Sequence, residues 1–128
     1  MPEPVVEVVG VYDADGGVFG EIGYVIGHAL GRTECSLCSV THGSLRRKPQ
    51  WDELMRELEV PVRLVHRNEA STRERAAYAM TGLPAVLGVR ADGTHTVLLG
   101  PTMLRATKGS ITQFAVGLRE ALRTEGVA

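Results

Sequence analysis

Cys35-Ser36-Leu37-Cys38, with His42 four residues further on, is the constellation in this sequence whose residue types and spacing suit chemistry. Two thiols at that spacing can close a small disulfide. One thiolate attacks a substrate disulfide and the other resolves the mixed intermediate. The attacking thiol has to ionise near neutral pH, which takes a helix N-terminus or a nearby cation. His42, Arg32, Arg46, Arg47 and Lys48 are near enough in sequence to supply one. The same side chains also suit a soft metal. Two thiolates and an imidazole are three of the four ligands that Zn²⁺ prefers, and Cu(I) accepts two thiolates. Cys35, Cys38 and His42 stand at i, i+3 and i+7, one face of the segment if it is helical; His66 is the candidate fourth ligand, ahead of His28 and His95. Residue types alone leave three readings open: redox pair, metal ligands, or two unreactive small residues in a loop.

Other patterns reduce to structure. Asp13-x-Asp15-Gly16 follows an apolar run, as in phosphotransferases that use an aspartate, but the distal Lys and further acidic pair that such chemistry needs are not evident, and the segment reads as a turn. The glycines between Gly20 and Gly31 lack a following Gly-Lys-Ser/Thr, so no phosphate loop is indicated, and no Gly-x-Ser-x-Gly occurs. Arg46-Arg47-Lys48 reads as a solvated loop. Trp51 reads as core, and Tyr12, Tyr24 and Tyr78 as packing residues with a wet hydroxyl.

The frame that must position the cysteines is small. At 128 residues the chain fits one domain over 1–128, large enough to bury most of its apolar surface without metal or disulfide support. Its 44% apolar and 23% charged residues are ordinary for a globular protein. A formal net charge of −1 gives no overall field toward nucleic acid or an anionic membrane, so neither is expected as a partner. No segment has the roughly 18 apolar residues of a membrane span. Met-Pro-Glu-Pro offers neither a basic n-region nor an apolar h-region, so a cytoplasmic location is expected. There the two cysteines would be reduced at rest, which makes them a functional question more than a staple.

Hydrophobic pattern then gives the elements. Val5 to Tyr12 is β-branched and almost continuously apolar, a strand buried on both faces and hence central in its sheet. Gly20, Gly23, Gly27 and Gly31 lie along one helical face, favouring a helix over Val18–Leu30; a hairpin turning at Asp13–Gly17 is the rival. Pro49 suits a first helical turn. Trp51, Leu54, Met55 and Leu58 form the apolar stripe of a short helix that Pro61 stops. Val62 to His66 is a second strand. Ser71 and Glu74 form a capping-box signature for a helix reaching Met80. Asp92-Gly93 joins strands Ala85–Arg90 and His95–Leu99 as a hairpin. Ser110 and Gln113 repeat the capping signature before a terminal helix whose apolar face is Ile111, Phe114, Ala115, Leu118 and Leu122. A strand–helix–strand unit makes the first two strands parallel, with a right-handed crossover.

From Val62 to Glu69, through the helix to Met80, Thr81-Gly82-Leu83-Pro84, the Asp92-Gly93 hairpin and the last helix, the chain resembles the second half of thioredoxins in order and spacing. The resemblance covers residues 61–125, about half the chain. It implies an α/β, thioredoxin-like fold with a mixed central sheet of about four strands and flanking helices. In that family the proline opening the penultimate hairpin is cis and faces the Cys-x-x-Cys; Pro84 is its match. The family's dithiol directly follows a strand, usually after Trp, whereas Glu34 precedes Cys35 here. The resemblance implies a thiol–disulfide oxidoreductase with Cys35, Cys38 and Pro84 at the site and no cofactor. Its partner would be a protein or small-molecule thiol or disulfide. Zinc or copper(I) held by Cys35, Cys38, His42 and His66 is the alternative, with His66 at the edge where the resemblance places the active site. A thioredoxin-fold interaction module without thiol chemistry is the third.

Overall fold

The computed structural model describes residues 3–13 and 49–126. In chain order it contains β1 (Val5–Val11), α1 (Pro49–Glu57), β2 (Val62–Val65), a 3-10 turn (Arg67–Glu69), α2 (Thr72–Tyr78), β3 (Ala85–Arg90), β4 (His95–Leu99), α3 (Pro101–Ala106) and α4 (Ile111–Glu125). The strands form one open mixed sheet in the order β2-β1-β3-β4. β1 runs parallel to β2 and antiparallel to β3, and β4 runs antiparallel to β3. The fold class is therefore α/β, with the parallel pair, antiparallel hairpin and flanking helices that the hydrophobic pattern predicts.

β1 is central because both of its faces are apolar. Val8 and Tyr12 point into a core beneath α1, α3 and α4, and Val9 and Val11 into a second core that includes α2. Two register slips adjust this alternation. Against β3, the pairing shifts between Val5 and Glu7, which brings Val5 onto the Val8 face. Between β3 and β4 it shifts after Val86, so that Leu98 and Leu99 both enter the first core. A bulge adds one residue to one strand and so reverses the parity of the residues beyond it.

Local chemistry sets most helix ends. Pro49 opens α1, where a missing N–H costs nothing. The Trp51 and Leu54 side chains of α1 are buried, with Met55 and Leu58 packed beside them. At α2 the Ser71–Glu74 box is complete: Ser71 Oγ accepts from the Glu74 N–H at 3.1 Å, and Glu74 Oε1 accepts from the Ser71 N–H at 2.8 Å. α2 ends at Tyr78, short of Met80, as Thr81 and Gly82 both donate to the Tyr78 carbonyl. Gly82, at φ 81°, takes the left-handed conformation that closes the helix. Ser110 Oγ accepts from the Gln113 N–H at 3.2 Å to start α4. α3 is an addition to the pattern read from sequence: Gly100 precedes it and Pro101 is its first residue, a pairing of cap and N1 proline too short to show a hydrophobic period. No helix among the described residues is long and apolar enough to cross a membrane.

Candidate functional site

Three strand ends meet at one edge of the sheet. Val11 is the register partner of both Val65 on β2 and Ala85 on β3. The residues one step beyond, Tyr12, His66 and Pro84, therefore gather at the end where β1 finishes, β2 finishes and β3 begins. The Tyr12 N–H donates to the Val65 carbonyl at 2.9 Å and holds the first two together. In sequence, residues 14–48, which carry the Cys-x-x-Cys, follow Asp13 and precede Pro49. Cys35, Cys38 and His42, with Asp15 and the glycine-rich stretch, lie outside the described residues.

The Leu83–Pro84 peptide is cis, as the thioredoxin resemblance implies, and Pro84 is buried. His66 follows β2 directly. Its Nδ1 lies 2.7 Å from Glu69 Oε1, and its backbone N–H donates to the same oxygen at 2.8 Å. Those two contacts, the backbone one first, hold the Glu69 carboxyl below its usual range. An ionised carboxylate only accepts, so the contact puts the ring proton on Nδ1 and leaves Nε2 with a lone pair in the neutral ring. The imidazole also packs against Tyr12, with ring centroids 5.2 Å apart and planes tilted by 44°. Beside it Arg67 Nη1 reaches Asp13 Oδ1 at 3.3 Å, tying the end of β1 to the turn after β2. The chain matches no family model, no curated protein and no solved structure.

Of the residues singled out from sequence, the structure thus brings Pro84 and His66 to one edge. His95 is the first residue of β4, beside the hairpin turn, half-buried, with Nδ1 3.1 Å from the Gly93 carbonyl. Among the described residues no group of three or more His, Cys, Asp or Glu is arranged to hold a metal. Sequence reading missed Glu69 as the partner of His66, although His66-x-x-Glu69 has the spacing by which a side chain reaches back across one turn. A groove of about 320 Å³ between the end of α1 and α4, floored by Leu58, Val60 and Leu122, lies at the opposite end of β2. Arg119 and Glu57 on its walls pair with each other at 3.1 Å, linking the two helices.

Proposed function

We propose that this chain is a thioredoxin-like thiol–disulfide oxidoreductase of the cytoplasm, working through Cys35 and Cys38 with Pro84 at the substrate edge. The observation that carries the reading is topological. The segment holding the Cys-x-x-Cys joins the end of β1 to the crossover helix α1, and β1 ends beside the proline that opens the antiparallel hairpin. Parallel pair, hairpin and terminal helix are the arrangement that the resemblance implies.

The chemistry balances within the dithiol. One cysteine thiolate attacks a substrate disulfide sulfur and expels the other sulfur as a thiolate, which takes up a proton. The second cysteine, deprotonated, then attacks the mixed disulfide, releases the second substrate thiol and closes Cys35–Cys38. Two electrons pass to the substrate, and a separate thiol reductant has to restore the pair. In the test, the reduced chain is mixed with a protein disulfide and turnover is followed with a dithiol reductant present. Wild type is expected to turn over, both Cys35→Ser and Cys38→Ser to lose turnover, and one of the two to accumulate a mixed disulfide. A Cys35→Ser/Cys38→Ser double variant as active as wild type would sink the reading.

The His66–Glu69 contact favours a second reading, in which Cys35, Cys38, His42 and His66 hold zinc or copper(I). Metal-binding histidines characteristically donate their other ring N–H to a carboxylate, which fixes the ring and raises its basicity. On this reading purified protein carries about one equivalent of metal. Glu69→Gln, which leaves every proposed ligand in place, lowers metal affinity about 10–100-fold. His42→Ala separates the two readings. It raises the pH midpoint of cysteine alkylation if His42 stabilises a thiolate, and it lowers metal content if His42 is a ligand.

A further inference from the structure

Helix α2 is attached to the sheet in an unusual way. It has seven residues, and the one buried side chain among them is a carboxylate, Glu74. Ala77 and Tyr78 are half-buried against the second core, while Thr72, Arg73, Arg75 and Ala76 face out. Both Glu74 oxygens are engaged. Oε1 accepts from the Ser71 N–H, and Oε2 lies 2.7 Å from Nη2 of Arg63 on β2. A helix this short has little stability of its own and depends on its docking. The first four residues of the following loop add little, before Leu83 packs against the second core and Pro84 is buried. Ala79, Met80, Thr81 and Gly82 are exposed, and the backbone N–H groups of Thr81 and Gly82 donate within their own turn, to the Tyr78 carbonyl.

We propose that α2 and the loop 79–84 form an acid-sensitive latch on the Pro84 edge, held by the pairing of buried Glu74 with the exposed Arg63 and able to open as a unit while the rest of the sheet stays closed. Among the described residues the charged neighbours are few. From β2 comes Arg63; from β1 comes Glu7, 3.5 Å from the same Arg63 nitrogen and competing for it. From the β3–β4 hairpin, Gly93 offers its carbonyl to Arg73 at 3.1 Å, and His95 of β4 shares that carbonyl. Burial pushes the Glu74 carboxyl up, but the Ser71 N–H and the Arg63 guanidinium outweigh it and hold the group below its usual range. The tie is accordingly complete above the ordinary carboxylate range. It is lost as pH falls through the lowered folded value, where the proton removes the charge that Arg63 binds. The device is independent of what the thiols do.

Hydrogen exchange on the full chain tests the latch, with global stability measured by urea unfolding alongside. At about pH 7, Glu74→Gln and Arg63→Met are each expected to speed exchange over residues 72–84 about tenfold or more, beyond any change in β1 and α4. Glu74→Gln keeps the shape and the Ser71 contact, so it reports even if Arg63→Met folds poorly. Acidifying the wild type, after correction for intrinsic exchange rates, should reproduce the effect in the same peptides. If protection over 72–84 is unchanged in Glu74→Gln, or falls only by the factor seen in β1 and α4, the pair is an ordinary part of the global fold and the latch is overturned.

Discussion

Trp51→Ala is expected to cost about 3–5 kcal/mol of unfolding free energy, the range for deleting a large aromatic side chain from a close-packed core. Trp51 is 2% exposed, and its ring meets Phe114 at 5.5 Å between centroids with a tilt of 47°. The contact joins α1 to α4 across the first core. α1 is nine residues long, too short to hold helical form without docking. The loss thus combines the transfer energy of the indole, the cavity left behind and the release of α1. Against a total stability of about 5–15 kcal/mol for a domain of this kind, that is a large fraction. Urea unfolding followed by circular dichroism measures it, since the variant has no tryptophan fluorescence. Trp51→Phe, which keeps an aromatic ring against Phe114, should recover part of the loss. A Trp51→Ala penalty below about 1 kcal/mol would mean that α1 is held by something other than this contact.

Period and turn chemistry make most of the described fold legible. The β-branched run from Val5 announces a strand with two buried faces, and β1 is indeed flanked on both sides, by β2 and β3. Asp92-Gly93 places the hairpin, and with it the bounds of β3 and β4. The Ser71–Glu74 spacing places the start of α2, but the pattern carries its end two residues too far because Met80 continues the helical period. Local hydrogen bonding to the Tyr78 carbonyl, which no periodicity encodes, decides that end. α3 escapes for a different reason. Its six residues bury one side chain, Leu104, and a single buried position has no period.

The edge is less legible than the frame, since its contacts are mostly made by residues far apart in sequence. Pro84 is found through the thioredoxin resemblance, and His66 as the end of the second strand. Tyr12 reads only as packing, and its meeting with His66 depends on the β1–β2 register, which fixes Val11 opposite Val65. The Arg63–Glu74 pair is hidden for the same reason. Sequence shows Glu74 as half of a capping box, and only the tertiary fold brings its second oxygen to Arg63 of β2. The bulges in β1 and β4 are likewise beyond sequence pattern, because a continuous apolar run such as that from Val5, or the pair Leu98-Leu99, does not show where a register slips.

Those two bulges lead to the second large effect, Gly88→Val, expected to cost about 1–3 kcal/mol or somewhat more. Gly88 lies in β3 between the two slips, and the side chains that the slips turn onto its face fill the space above it. A Cβ at this position would sit 3.2 Å from Val5 Cγ2 and 3.3 Å from both δ-methyl groups of Leu98. Valine favours strands, and glycine inside one sacrifices about 0.5–1 kcal/mol relative to alanine. The two extra methyl groups of valine nevertheless have to enter volume already held by Val5 and Leu98, and interiors at crystal-like density have little give. Gly88→Ala, with only the Cβ to place, should fall much nearer neutral. The cause can be isolated by a double-mutant cycle with Leu98→Ala, which alone is expected to cost about 2–5 kcal/mol by leaving a cavity. Combined with Gly88→Val, part of that cavity is filled, so the double variant should be more stable than the sum of the two losses. Urea midpoints and slopes for the four proteins supply the coupling. Additivity to within about 0.5 kcal/mol would show that the two side chains do not compete for one space, and that the bulges are not what requires glycine at position 88.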